Sequence, residues 1–403
     1  MRRWKKVAII LLGVIVLSQI PFAWRRYQLG RLNKAIQQLA PQRNVSPAPT
    51  SRDFKGVIHV HSFLGGHSTG TFDDIIKAAK QNGLDFVIMT EHPEQDFDTN
   101  AMTLNDLHGG ILFISGNEVS TGSGDRLLLI PGDKSAAVTG TQSTQAVIRE
   151  QRARGGLSIV AYPAEFKSWL EQDYDGVEVY NLFTNARRLN PLVGFFDGLW
   201  SYSTYPDLMF ATFYERPSQG LQSWDNAAIT GRRKLIGIAG NDAHANVGLS
   251  LNDAAGRQVV ALHLDPYERS FRVVRTHVLL GPDQPLSRES LLGALASGHC
   301  YMSVDLFADP SGFNFTAENN SEMKGMGDEI GLGGGVKLTV TSPLPSRILL
   351  FRDGAKIQEE SGTSRKEFGV TQAGIYRVEV YLSQLPKPAG DEPWIISNPI
   401  YVR

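Results

Sequence analysis

The sequence predicts an α/β protein, in which an apolar N-terminal segment precedes a mostly parallel α/β domain and a small all-β domain follows it. Short apolar stretches at 57–60 and 86–89 alternate with helical patterns such as 71–81, where Thr71 can cap the first turn. Alternation of this kind is typical of parallel sheets. An uncharged run near the N-terminus predicts the apolar segment, and a series of short strands near the C-terminus predicts the all-β domain.

The N-terminal segment begins with basic residues and continues as an uncharged run. Four of the first six residues are Arg or Lys, and residues 7–24 carry no charge. This length is close to the ~20 residues that cross a bilayer, and Trp24 with Arg25 would lie at its interface. We predict a single-pass membrane anchor over residues 7–24; a cleaved signal peptide and a buried soluble helix are the alternatives. The short N-terminal tail favours an extracytoplasmic catalytic domain, although basic residues on both flanks leave the positive-inside rule undecided.

Composition divides the chain into three parts. Residues 25–40 are predicted to form a helical stem and 41–50, with three prolines, a linker, so that residues 1–52 hold the anchor, stem and linker. Residues 53–310 carry the alternating pattern of the α/β domain. Residues 311–403 contain no histidine and are predicted to form a β-sandwich-like domain. Its predicted strands are 336–341, 347–351, 366–370 and 375–382.

Strands and helices alternate throughout residues 53–310. Apolar stretches predict strands at 57–60, 86–89, 111–114, 127–130, 158–161, 177–180 and 235–239. Helical patterns fall at 71–81, 144–153 and 287–297.

Charge and cysteine content exclude several function classes. Lys plus Arg number 40 and Asp plus Glu 41, so no nucleic-acid binding is expected from charge. Cys300 is the single cysteine, which excludes an intramolecular disulfide and any zinc site built from several cysteines. The sequence gives no indication of oligomeric state.

Two histidines at the end of the first predicted strand form the first candidate site. His59 and His61 are one residue apart, and alternate residues of a strand share a face. Two neighbouring imidazoles are half of a metal site, although an exposed polar face is the alternative. His67 follows in a glycine-containing loop that can fold back over the strand end.

Carboxylates and histidines also follow other predicted strands. Glu91 and His92 follow the strand at 86–89, and Glu118 follows the strand at 111–114. Asp242 and His244 follow the strand at 235–239. In an α/β barrel the carboxyl ends of the strands meet at one mouth, where active sites lie. Such a group of ligands suits a divalent ion of Zn, Mn or Fe.

These motifs resemble those of the PHP (polymerase and histidinol phosphatase) superfamily of metal-dependent phosphoesterases. The matching motifs are His-x-His at 59–61, Thr-Glu-His at 90–92, Gly-Asn-Glu-Val at 116–119 and Asn-Asp-Ala-His at 241–244. The resemblance covers about residues 53–300, and the layout is most similar to the CehA/McbA-type metallohydrolase branch. It implies a distorted seven-stranded β/α (TIM-like) barrel with metals at its mouth.

The resemblance also implies two sets of metal ligands. One ion would be bound by His59, His61, Glu118 and Asp242. A second would be bound by His67, His92 and His244. Asp242, His244 and Glu118 would then be the catalytic residues.

Two departures from the family pattern fall on a third, middle metal. Tyr162 stands where the family has the histidine of a His-Pro pair, and Arg126 stands where another histidine is usual. A guanidinium cannot bind a cation, so we expect two ions rather than three. We predict instead that Arg126 and Tyr162 bind the substrate's oxygens; the alternative is that Arg126 points outward and pairs with Asp125 or another surface acid.

The resemblance therefore implies a metal-dependent hydrolase, a phosphoesterase acting on a small-molecule ester with water activated at a two-metal site. A carboxyl or carbamate ester hydrolase with the same site is one alternative. A non-catalytic metal- or ligand-binding module is the other. The remaining histidines are expected to be structural or exposed. These are His108, His263, His277 and His299.

Overall fold

A long apolar helix leads into a mixed α/β body with one large sheet. The computed structural model describes residues 3–44, 51–66, 68–170, 173–186, 190–246, 248–252, 258–263 and 265–403. Nineteen of the 21 strands in these ranges belong to the large sheet, and the other two pair with each other.

The helices are Arg3–Leu39 (α1), Phe72–Gln81 (α2), Thr99–Met102 (α3), Thr144–Ala153 (α4), Leu182–Ala186 (α5), Pro191–Ser201 (α6), Ser218–Gly231 (α7), Tyr267–Val273 (α8) and Arg288–Ser297 (α9). The first nine strands are Arg52–Val60 (β1), Phe86–Met89 (β2), Asp106–His108 (β3), Ile111–Ile114 (β4), Asn117–Ser120 (β5), Arg126–Ile130 (β6), Leu157–Val160 (β7), Gly176–Asn181 (β8) and Ile236–Ala243 (β9). The others are Gly248–Asn252 (β10), Gln258–His263 (β11), Arg275–Leu280 (β12), Cys300–Ser303 (β13), Asn314–Glu318 (β14), Met323–Gly325 (β15), Glu329–Ile330 (β16), Val336–Arg352 (β17), Ala355–Val370 (β18), Gly374–Tyr381 (β19), Pro393–Ser397 (β20) and Ile400–Val402 (β21).

The parallel part of the sheet agrees with the alternating pattern of the sequence. Strands β4, β2, β1, β9, β8 and β7 are successive parallel neighbours, and β6 and β5 continue the order antiparallel. Helix α4 and strands β2 and β4 have the predicted bounds. Thr71 caps α2 through a capping box with Asp74. The carboxyl ends of β1, β2, β8 and β9 therefore point in one direction.

The large sheet does not show a seven-stranded TIM-like barrel. Strand β1 is long enough to have two sets of neighbours. Its first half, Arg52 to Gly56, pairs antiparallel with β12, and Ile58 and Val60 pair with β9. From β12 the ladder continues through β13 and β20 into the C-terminal strands. The observed sheet of nineteen strands therefore does not match the seven-stranded barrel that the resemblance implies.

The C-terminal strands β14–β21 form an all-β region, as predicted, apart from one short 3-10 turn at Ala389–Asp391. They are hydrogen-bonded to the α/β part, because β13 pairs with β20 between Tyr301 and Ser397. The predicted strands at 336–341 and 347–351 are one continuous strand, β17. The domain boundaries and the sandwich-like architecture stay predictions.

Helix α1 unites two segments that the sequence suggested were separate. The predicted anchor and stem form a single helix that continues through Pro21. Its apolar N-terminal part is exposed, whereas Leu29, Leu32 and Leu39 are buried against the body. Of the predicted linker, residues 45–50 lie outside the described part of the chain.

His277 on β12 is structural, and it predicts a pH dependence of stability. The ring is fully buried, with Nδ1 2.8 Å from Asp53 Oδ1 and Nε2 3.2 Å from Asp305 Oδ1. Burial alone would lower the pKa of His277, but these two carboxylates outweigh it and raise the pKa to about 10. The charged imidazole therefore stabilises the folded chain.

The expected result is a loss of stability at alkaline pH. The folded-state pKa lies above the unfolded value, so the contribution is complete below about pH 6.5 and is lost as the pH rises towards 10. Urea denaturation of the full-length chain in detergent should show a free energy of unfolding lower by roughly 4 kcal/mol at pH 9.5 than at pH 6. His277→Gln should remove most of that difference. Equal pH dependence of parent and variant would contradict the assignment.

Candidate metal centre

An irregularity at the end of β1 positions the first two histidines. His59 has a φ of +68°, and the pairing register of β1 shifts between Ile58 and Val60. The rings of His59 and His61 are both fully buried, with centroids 5.1 Å apart. Positive φ in a non-glycine residue costs energy and is concentrated at functional sites. Asp242 and Tyr162 at the same centre also have positive φ, at +50° and +49°.

Four buried side chains converge at the carboxyl ends of β1 and β9 and on β5. The ligand atoms of His59, His61, Glu118 and Asp242 lie within 4.8 Å of one another. Glu118 Oε2 is 3.2 Å from His59 Nε2 and 3.3 Å from His61 Nε2. Asp242 Oδ1 is 3.4 Å and 3.6 Å from the same two nitrogens. The structure thus brings together the first ligand set implied by the resemblance, and this set could hold a metal ion.

The donor atoms of this group fit a divalent cation. Asp242 Oδ1 is buried, and none of the described residues donates a hydrogen bond to it. Two carboxylates and two imidazoles match the oxygen and nitrogen ligands that Zn, Mn and Fe take in proteins. A buried carboxylate oxygen without a donor is costly unless a cation compensates it. The geometry therefore suits a bound ion better than a purely structural polar cluster.

A second group adjoins the first on its more exposed side. His61, His92 and His244 form it, and the His61 ring stacks on the other two with centroids 4.7 Å and 4.4 Å away. Glu118 Oε2 also lies 3.4 Å from His92 Nε2, so Glu118 stands between the groups. A neutral imidazole has one acceptor nitrogen, so His61 can be a ligand of only one of the two ions. His67, the third predicted ligand of the second ion, lies outside the described residues.

Burial and neighbouring charges shift the pKa values of His59 and His61 in opposite directions. Burial lowers the pKa of His61 to about 3, which keeps its imidazole neutral as a ligand must be. Burial also disfavours the charged form of His59, but the carboxylates of Glu178, Asp242 and Glu118 outweigh it and raise the pKa of His59 well above its ordinary value. The negative charge of these carboxylates therefore favours a proton on His59. A bound metal cation would neutralise the same negative charge.

Glu178 is a site residue that the sequence reasoning did not identify. It is fully buried on β8, and its Oε1 accepts a hydrogen bond from His59 Nδ1 over 2.6 Å. Carboxylates behind metal-binding histidines commonly fix the ring orientation and tautomer in this way. Asn181 supports the arrangement by donating to Glu178 Oε2 at 3.1 Å and to Asp242 Oδ2 at 3.3 Å. The available signal was a lone glutamate within the apolar strand predicted at 177–180.

Arg126 and Tyr162 both face this centre. Arg126 Nη1 donates to Glu118 Oε1 over 2.9 Å, and its guanidinium lies 5.3 Å from the centroid of the Tyr162 ring. Tyr162 Oη donates to Asp242 Oδ2 over 2.6 Å. The alternative pairing of Arg126 with Asp125 is not formed, because Asp125 instead accepts hydrogen bonds from its neighbours on other segments. These donors are Thr144, Lys167 and Ser168. Contact of Arg126 and Tyr162 with substrate stays a prediction.

Comparison with known proteins adds little to this geometry. No family model matches the sequence, and no curated protein matches it. Among solved structures, PsfC from Pseudomonas syringae aligns with 12% identity and a TM-score of 0.35, over 61% of this chain and 90% of that chain. A TM-score this low supports no inference about the fold or the function.

Proposed function

We propose that this protein is a metal-dependent hydrolase of phosphoesters, with a two-metal centre of the PHP type. The observation that carries the proposal is the buried convergence of His59, His61 and Asp242, at the carboxyl ends of the neighbouring strands β1 and β9, with Glu118 of β5. His92 and His244 extend the same cluster towards its exposed side. The parallel order of β2, β1, β9 and β8 supports the proposal, because it brings the carboxyl ends of these strands to one edge of the sheet.

The metal ions would supply Lewis acidity and positive charge, which activate water and neutralise an anionic ester. His59, His61, Glu118 and Asp242 would bind one ion, and His92 and His244 would contribute to the other. The protein's own contribution is orientation. Glu178 fixes the His59 ring, and the Tyr162 hydroxyl holds Asp242.

Arg126 would bind the substrate. One of its amino groups bonds Glu118, while its side chain is 46% exposed and can direct its other N–H groups to an oxyanion. Burial and the Asp242 carboxylate raise the pKa of Tyr162, so its hydroxyl stays protonated and donates its one proton to Asp242. Arg126 therefore places positive charge on one side of the ligand cluster, and the Tyr162 ring lies against its guanidinium.

A direct test uses the full-length chain in detergent with bis(p-nitrophenyl) phosphate as substrate. The expected result is turnover that a chelator abolishes and that added Mn²⁺ or Zn²⁺ restores. Hydrolysis of p-nitrophenyl acetate without hydrolysis of the phosphodiester would favour the carboxyl ester alternative. Metal binding without either activity would favour a binding module.

Arg126→Ala is expected to weaken substrate binding while the ions stay bound. Loss of a charge-assisted contact to an oxyanion should raise KM about 10- to 100-fold, because such hydrogen bonds contribute about 1.5–3 kcal/mol. Steady-state kinetics with the phosphodiester and metal analysis of the same sample would measure both effects. Arg152→Ala is the matched control, since Arg152 forms an exposed pair with Asp173. An unchanged KM in Arg126→Ala would contradict the substrate-binding role.

Helix α1 supports a membrane anchor. Its apolar part is long enough to cross a bilayer and is exposed in the described structure, although a signal sequence has the same features. We infer a single-pass anchor with the catalytic part on the extracytoplasmic side. Two residues within the apolar run itself, Gln19 and Phe22, contact Trp200 and Phe196 of α6, which favours a segment that is retained.

The anchor predicts that the full-length chain stays in the membrane fraction. Cell membranes should retain it after washing with high salt and with alkaline carbonate, because about 18 apolar residues bind through the hydrophobic effect rather than through charge. Immunoblots of membrane and soluble fractions, with N-terminal sequencing of the product, measure this. Recovery of a soluble chain that begins near residue 24 would show a cleaved signal peptide instead.

A further inference from the structure

Helix α6 has an exposed apolar face that its own packing leaves uncovered. Leu192, Phe195 and Leu199 are exposed by 66%, 55% and 65% and recur at the spacing of one helix face. Phe196 and Trp200 flank this face, whereas the opposite side carries Asp197 and Ser201, which are buried against the body. The only charged residue of the helix is Asp197, which is paired with Arg25. The apolar face of this helix therefore points away from the body, as in helices that contact a membrane or another protein.

The partner of α6 is the end of the apolar run of α1. The rings of Phe22 and Phe196 lie 5.0 Å apart, and Trp200 Nε1 donates to Gln19 Oε1 over 3.0 Å. Arg25 and Arg26, which close the apolar run, bond Asp197 and the Trp200 carbonyl. Helix α6 is therefore level with the segment of α1 where a bilayer interface is expected.

The position of α6 relative to the anchor is fixed by packing. Beyond residue 26, α1 continues without interruption to Leu39, and Leu29, Leu32 and Leu39 are buried in the body. A Cβ at Gly30 would lie 3.1 Å from Tyr205 Oη, so helix and body are in close contact there. Because the anchor is part of the folded body, an inserted α1 would hold the exposed face of α6 against the same membrane.

Helix α6 is also close to the metal centre along the chain. Strand β8, which carries Glu178 and Asn181, leads directly into α5, and Phe183 of α5 lies 5.5 Å from the His244 ring, centroid to centroid. From the end of α5 to the start of α6 there are five residue steps, which span at most about 17 Å. Helix α6 therefore begins within about 17 Å of the end of α5, the helix whose Phe183 contacts His244.

Two loops at the same carboxyl ends of the strands carry exposed aromatic rings. Phe63 follows His61 by two residues and is 49% exposed, and Phe97 follows His92 by five residues and is 41% exposed. These rings add apolar surface at the edge of the sheet where the ligand cluster lies.

We propose that α6 lies in the membrane interface beside α1, and that the substrate of the metal centre is the phosphoester headgroup of a membrane lipid. This inference rests on the proposed phosphoesterase function. In the reaction, the oxygen of water forms a bond to phosphorus, and the bond from phosphorus to the ester oxygen breaks. The departing oxygen takes up the proton that water loses, so the products are an alcohol and a phosphate.

The membrane position can be measured without any activity. Leu199→Cys in the full-length chain is labelled with the fluorophore NBD and reconstituted into phosphatidylcholine vesicles; Cys300 is fully buried and should not compete. The expected result is blue-shifted emission that spin-labelled lipids quench. Leu107→Cys is the control, because Leu107 is 69% exposed on β3, towards the amino end of β4. Equal quenching at the two positions would overturn the proposal.

The substrate class is tested by comparing two substrates. The full-length chain is assayed on bis(p-nitrophenyl) phosphate, and on vesicles of phosphatidylcholine, phosphatidylglycerol and phosphatidic acid with the lipid products followed by mass spectrometry. Phe195→Glu/Leu199→Glu should lower lipid turnover at least tenfold more than turnover of the soluble diester. Leu107→Glu should change neither.

The outcomes separate this inference from the proposed function. Turnover of the soluble diester without turnover of any lipid, or equal losses on both substrates, would overturn the lipid headgroup as substrate and leave the phosphoesterase in place. A chain that hydrolyses neither substrate would overturn the proposed function, and the inference with it.

Discussion

Asp242→Asn is expected to remove bound metal and to abolish hydrolysis while the chain stays folded. Asp242 contributes one oxygen to the ligand group, and its other oxygen accepts hydrogen bonds from Tyr162 and Asn181. An amide of the same shape preserves the packing but removes the negative charge that the cation requires. Turnover should fall by more than about 100-fold, since loss of even the outer partners of a metal site costs roughly 10- to 100-fold.

The comparison uses metal analysis, kinetics and thermal denaturation of the same preparations. Asp173→Asn is the matched control, because Asp173 carries the same charge but forms an exposed pair with Arg152. The control should keep metal and activity within error of the parent. If Asp242→Asn bound the parent's full metal content and retained its turnover, the assignment of this carboxylate as a ligand would be wrong.

Arg377→Met is expected to give the largest loss of stability. Arg377 on β19 is fully buried, donates to both oxygens of Asp225 on α7 at 3.0 and 2.8 Å, and donates to Glu379 at 2.6 Å. It therefore joins the C-terminal strands to the helix that precedes β9. Removing one partner of a buried ion pair leaves an uncompensated charge and costs about 3–5 kcal/mol.

Denaturation by urea, followed by tryptophan fluorescence, measures the effect. Arg365→Met is the matched control, since Arg365 on β18 pairs with Glu367 at 2.9 Å but is 63% exposed. An exposed pair contributes about 0–1 kcal/mol, so the control should differ little from the parent. Equal stability of the two variants would contradict the view that the Arg377 network holds the C-terminal strands to the α/β part.

Local patterns explain why so much of the site could be predicted from the sequence. The ligands stand at the ends of short apolar strands, and both the strands and the residues after them are read from contiguous sequence. The bounds of β2, β4 and α4 are as predicted. His59, His61, Glu118 and Asp242 come from three separate regions, yet the structure brings them together.

Features that depend on tertiary contacts were not predicted. Glu178 looks like one polar residue in a strand, and only the fold shows that it lies behind His59. The side to which Arg126 points follows from packing against Tyr162, which the sequence left open. The two sets of neighbours of β1 arise from its length and its pairing with β12, a strand more than 200 residues away. Pairing at that distance leaves no local signal.

The central claim is that the His59–Asp242 cluster binds a catalytic metal, and the most direct test is anomalous X-ray diffraction from crystals of the full-length chain grown with Mn²⁺ or Zn²⁺. The account predicts an anomalous peak at the absorption edge of the added metal, within about 2.0–2.3 Å of nitrogen or oxygen atoms of His59, His61, Glu118 and Asp242. It predicts a second peak beside His92 and His244. A map with no peak at the four-residue group, from crystals that hold the metal at saturating concentration, would contradict it.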